Sequence, residues 1–105
     1  MAIVRGTTPT IIFTFQTIDV ADIDTAYLVI KQWDATKISK DITSATVDTD
    51  EGTLSWTLTQ TESLTLETSK KCSIMCDWLT DSGTRGRSVE KTESVENPGK
   101  NEVIS

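Results

Sequence analysis

Histidine is absent from this chain, and cysteine and aromatic residues are scarce: two Cys, three Trp, two Phe and one Tyr. Without histidine the commonest general base is gone, and neither a Ser-His-Asp nor a Cys-His constellation can be built. Structural zinc wants four Cys or His ligands, and two cysteines do not supply them. The expectation is therefore a protein without catalysis, metal or cofactor. No apolar run approaches the ~18 residues of a membrane span. No cationic segment with an apolar stretch and cleavage site, and no transit-type helix, is read at the start. Basic residues are outnumbered, ten against sixteen acidic, for a net charge of -6 and a pI near 4.5. Such a chain repels phosphate backbones and anionic lipid, so nucleic acid and membrane are not expected as partners.

The cysteines, Cys72 and Cys76, fall in the alternating stretch Cys72-Ser73-Ile74-Met75-Cys76-Asp77-Trp78. On a strand they share a face about 13 Å apart, too far for a disulfide. They read as small core residues, and free thiols fit a protein made in a reducing cytoplasm.

Threonine is abundant, roughly a fifth of the chain. It favours strands and tolerates water, which suits sheets with one wet face. A chain of this length buries roughly 65% of its unfolded surface, enough for one core. The expected division is an N-terminal arm over 1–9, a domain over 10–96 and a tail over 97–105.

Strands are predicted over Thr10 to Gln16, with Ile11, Phe13 and Phe15 on one face, and over Thr25 to Trp33. The second is apolar on both faces: Tyr27, Val29 and Trp33 on one, Ala26, Leu28 and Ile30 on the other. That marks a central strand or a partner contact. A helical turn is weakly signalled over Asp19 to Asp24. Asp34-Ala35-Thr36 reads as a turn, Lys37 to Ile42 as a lysine-bearing edge strand, and Thr43 to Thr49 as a continuation with Val47 inward. Asp50-Glu51-Gly52 is a hairpin turn. Leu54, Trp56 and Leu58 then point inward. Thr59-Gln60-Thr61-Glu62 matches a capping box and predicts one helical turn. Lys70 to Leu79 is a long strand with Cys72, Ile74, Cys76 and Trp78 inward. Asp81-Ser82-Gly83-Thr84 turns into a last strand from Arg85 to about Val95, with Val89 its main apolar residue. Six or seven such strands with one short helical turn predict an all-β, antiparallel, Ig-like β-sandwich.

The carboxylates sit mainly in turns and the tail and read as a solvated acidic surface. Asp48 and Asp50 alternate as calcium ligands would, but lack the loop length and glycine placement of a calcium motif. Arg85-Gly86-Arg87 is an isolated positive pair, a strand edge or a contact with an acidic neighbour. Trp56 and Trp78 read as core; Trp33, beside a turn, is core rim or interface anchor. In the arm, Ile3 and Val4 form an apolar pair beside Arg5, a candidate for a charge-assisted bond to a carboxylate of a neighbouring subunit. An assembly arm gains its contacts only on docking. The other reading is an edge segment folded back on its own sheet.

Arg5-Gly6-Thr7-Thr8-Pro9-Thr10 before the first strand, Leu58-Thr59-Gln60-Thr61-Glu62-Ser63-Leu64 in mid-chain and the Asp81-Ser82-Gly83 turn resemble small virion proteins of tailed phages and prophages of Gram-positive bacteria. Before that turn the chain has Met75-Cys76-Asp77-Trp78, where the family has a Gln-Val-Arg-like pattern. Some members look like the N-terminal sandwich of siphophage baseplate proteins, others like free-standing accessory proteins. The resemblance implies a virion structural protein made in the bacterial cytoplasm, homo-oligomeric in the particle and bound to capsid or tail subunits. Two roles follow: an accessory or decoration protein on the capsid, or a tail or baseplate adaptor contacting carbohydrate through Trp33. The partner-binding residues expected are Ile3, Val4, Arg5, Trp33, Arg85 and Arg87.

Overall fold

The computed structural model describes residues 3–88, 90–99, 103 and 104. In chain order its strands are β1 (Ile3–Val4), β2 (Thr10–Thr14), β3 (Ile23–Gln32), β4 (Ala35–Asp41), β5 (Thr46–Asp48) and β6 (Thr53–Thr57). After helix α1 (Gln60–Leu64) come β7 (Cys72–Thr80), β8 (Arg85–Arg87), β9 (Lys91–Glu93) and β10 (Val95–Glu96). The fold is all-β and sandwich-like with one short helix. One sheet runs β2-β6-β5 and the larger β4-β3-β7-β8, with β9 also pairing β7. Neighbours in both sheets are antiparallel.

Side-chain alternation decides which faces meet. On β3, Ala26, Leu28 and Ile30 are fully buried; opposite them on β7 stand Trp78, Cys76 and Ile74. These pack against Ile11 and Phe13 of β2 and Leu54 and Trp56 of β6 in one core. The Trp56 ring meets Phe13 edge to face at 6.0 Å, and its Nε1 donates to the Asp41 carbonyl at 2.8 Å, so the indole is buried with its polar atom satisfied. Trp78 is only half-buried. Its ring meets Phe15 edge to face and lies flush on Gly86, where an added Cβ would fall 2.2 Å from Trp78 Cζ2.

Local chemistry sets the connections. Asp19 caps a 3-10 turn over Val20–Asp22 by accepting from the Ala21 amide, and Val20 tucks into the core. Gly52 takes φ +68° in the turn before β6. The capping box at α1 is formed: Thr59 Oγ1 accepts from the Glu62 amide, and Glu62 Oε1 from the Thr59 amide. Gln32, nearly fully buried, holds the loop after α1 with three hydrogen bonds: Nε2 donates to the Glu67 and Lys70 carbonyls, and Oε1 accepts from the Glu67 amide.

Four expectations are corrected. The hairpin of β3 and β4 turns at Trp33-Asp34, with Ala35 and Thr36 already in β4; both turn residues have positive φ, 52° and 61°, as a two-residue primed turn requires. Val47 is exposed rather than inward, because β5 is a short edge strand after a 3-10 turn over Ile42–Ser44. The last strand is broken into β8, β9 and β10; between β8 and β9, Ser88 Oγ accepts from the Cys76 amide where a ladder bond would otherwise be. Val89 lies outside the described residues. Finally, the described part of the N-terminal segment is no free arm. β1 pairs in parallel with β10, Ile3 opposite Val95, and both side chains join the core. Two apolar residues at the end of a small domain gain more by burial there than by remaining in water.

Candidate functional site

The six residues expected to bind a partner separate into two groups. Ile3 is fully buried, so it is not a surface contact, and Val4 is half-buried beside it. Arg5 is spent on its own fold: Nη2 donates to the Leu64 carbonyl at 2.9 Å and Nη1 to Asn97 Oδ1 at 3.3 Å. It fastens the end of α1 to the segment after β10. The expectation that Arg5 reaches a neighbouring subunit is corrected by these bonds.

Trp33, Arg85 and Arg87 lie around the outer face of the larger sheet. That face is built by the residues alternating with the core. Thr25, Tyr27 and Val29 of β3 lie beside Leu79, Asp77 and Met75 of β7 in register, with Arg85 and Arg87 of β8 next across. Tyr27 is 46% exposed. A shallow depression of about 360 Å³ lies among Tyr27, Val29, Ser39, Asp77, Leu79 and Arg85. Asp77 Oδ2 stands 3.9 Å from Arg85 Nη2, while its Oδ1 is buried with no hydrogen-bond partner among the described residues. An acceptor withdrawn from water without a donor is costly, and a donor from a docking molecule would relieve it.

Trp33 stands at the hairpin end of this face, half exposed, with Lys37 Nζ 5.8 Å from its ring centre. A tryptophan at positive φ is strained, since its Cβ crowds the carbonyl. Nothing in the core requires an indole there. A second cleft, of about 270 Å³, runs from Trp33 past Lys31, Lys70, Lys71 and Met75 to Arg87. Arg87 Nη1 lies 4.0 Å from Met75 Sδ.

The sequence reading found Trp33 and both arginines but missed Tyr27, Lys70 and Lys71 as their neighbours. Tyr27 carried a signal, since it alternates with core residues on a strand apolar on both faces. The lysines carried none: their place depends on Gln32 folding the loop after α1 back onto the end of β3.

Both cysteines are free and buried. Burial, and to a smaller extent the charge of Asp77, pushes the Cys76 thiol up to about 12. Burial likewise raises Cys72. Thiols held protonated in this way are poor nucleophiles and poor metal ligands. Among the described residues no three His, Cys, Asp or Glu side chains gather to hold a metal ion. No helix of the described residues is long and apolar enough to cross a membrane.

Among known proteins, no family model matches the chain, and no curated protein is similar to it in sequence.

Proposed function

We propose that the chain is a non-enzymatic structural protein of a tailed-phage virion, an accessory or decoration protein docked on the capsid through the outer face of its larger sheet. One observation carries this reading. The two segments behind the resemblance to phage virion proteins, Arg5 to Thr10 and Leu58 to Leu64, grip each other directly. Arg5 donates to Leu64, Ser63 Oγ donates to the Thr7 carbonyl at 2.7 Å, and the Leu58 amide donates to the Pro9 carbonyl at 2.9 Å. Two motifs about fifty residues apart thus make one structural unit, as a signature of a common fold should. The raised thiols and the lack of histidine leave little for catalysis, whereas the outer face offers Tyr27, Val29, Leu79, Trp33 and two arginines to a neighbour.

A tail or baseplate adaptor is the second reading, and Trp33 favours it: an exposed aromatic at a hairpin tip suits a sugar ring or a partner side chain. Copy number separates the two. Quantitative mass spectrometry of purified particles should find on the order of hundreds of copies for a capsid accessory protein, and about six or twelve for an adaptor on the tail axis. Absence from washed particles would refute both.

A further inference from the structure

We propose that the cleft between Trp33 and Arg87 binds a short acidic peptide segment of a partner protein. Four of the ten basic residues of this acidic chain, Lys31, Lys70, Lys71 and Arg87, converge on that cleft. Among the described residues, no carboxylate lies within ion-pair distance of any of the four. Elsewhere the pattern differs: Lys37, Lys40 and Arg85 face Glu67, Glu62 and Asp77. Two carboxylates, Asp34 and Glu90, also line the cleft, which leaves an excess of positive charge.

The site is ordered in advance. Lys70 follows the loop that Gln32 holds, its own carbonyl accepting from Gln32 Nε2 at 2.9 Å. Lys31 and Arg87 stand on paired strands. Backbones held in this way bring the four cations together before a ligand arrives, although the exposed lysine side chains still have to order on binding. Trp33 and Met75 add an apolar wall, which suits a peptide bearing carboxylates and one apolar side chain.

Charge complementarity selects the occupant. A long polyanion such as nucleic acid would leave this small cleft and run onto a surface whose overall charge is -6. A short acidic segment would not. The inference stands apart from the virion reading, because it concerns a binding event of the isolated chain; particle composition can fail while this holds, and the reverse.

The test is a titration of the whole protein with a blocked peptide that carries no tryptophan, acetyl-Glu-Glu-Leu-Asp-Glu-amide, followed by tryptophan fluorescence and by amide shifts in two-dimensional NMR. The expected result is saturable binding in low salt, with shifts centred on Trp33, Lys70, Lys71 and Arg87. It should disappear between about 10 mM and 1 M salt, as the screening length falls from roughly 30 Å to 3 Å. Lys70→Gln with Lys71→Gln, two exposed positions, should weaken binding about tenfold while the circular dichroism spectrum is kept. Lys91→Gln, outside the cleft, should not change it. Absence of saturable binding in low salt, shifts centred elsewhere, or an unchanged affinity in the double variant would each overturn the proposal. So would tighter binding of duplex DNA or inorganic pyrophosphate than of the peptide, which would assign the cleft to phosphate.

Discussion

Arg5 Nη2 donates a hydrogen bond to the carbonyl of Leu64 at 2.9 Å, across 59 residues of sequence. The bond joins the residue that follows β1 to the end of the only α-helix among the described residues, satisfying a carbonyl that the helix leaves open. Charged donors make the stronger hydrogen bonds, and this one is half withdrawn from water. Arg5→Ala is therefore expected to destabilise the isolated protein by about 1.5–3 kcal/mol in urea unfolding. An unchanged midpoint would return Arg5 to the surface role that the sequence implied.

Gly86 allows the Trp78 ring to lie on the backbone of β8. A Cβ there would overlap the six-membered ring, which Phe15 confines from another side. Gly86→Ala should lower stability by about 1–3 kcal/mol, as overpacking does, and shift the tryptophan emission. Trp78→Leu in the same background should recover part of the loss. If Gly86→Ala alone unfolds at the wild-type midpoint, the ring does not rest on Gly86.

Glu62 links acid to stability. Burial alone would raise its carboxyl, but the Thr59 amide and the Lys40 ammonium 3.0 Å away outweigh it and hold the group below its ordinary value of 4.5. The resulting stabilisation is fully present above 4.5 and is lost as the pH falls through the lower folded value. Glu62→Gln keeps a capping partner but loses the ion pair, for about 0.5 kcal/mol at neutral pH. Unfolding midpoints of the two proteins should converge in acid. A gap that stays constant from pH 7 to about pH 2 would show that the carboxylate charge is not what stabilises α1.

Replacing Trp33-Asp34 by Asn-Gly should raise stability, by about 1 kcal/mol, because both positions have positive φ and those residues adopt it with little strain. The same change should abolish the peptide-induced fluorescence change at the cleft. A loss of stability would mean that the indole earns its place through packing.

Much of the fold was legible because one face of each main strand is buried. Ile11/Phe13 and Leu54/Trp56/Leu58 alternate strictly, Cys72/Ile74/Cys76 do so except that Met75 is buried too, and the Thr59/Glu62 spacing predicts a capped helix that is present. The turn after β3 was legible at Asp34, which tolerates positive φ, but not its start at Trp33, since a tryptophan is not a usual choice for that conformation. The place of Ile3 was not either. Two residues show no period, and their burial rests on β10, which lies more than ninety residues away. For the site, Arg85 and Arg87 were visible as a charged pair, but the cleft joining Arg87 to Lys70 and Lys71 exists only through tertiary folding.

The central claim is that this sandwich is a virion component held by its outer sheet face. The most direct measurement is incorporation into particles from a phage carrying Arg85→Glu with Arg87→Glu, compared with the unaltered phage by mass spectrometry of purified virions. Both arginines are exposed, so the variant should fold; the carboxylate placed beside Asp77 should lower its melting temperature by only a few degrees. The account predicts that the parent protein is present at a fixed copy number and that the folded variant is lost from the particles. Equal incorporation of the two proteins, or absence of the parent protein from the virion, would contradict it.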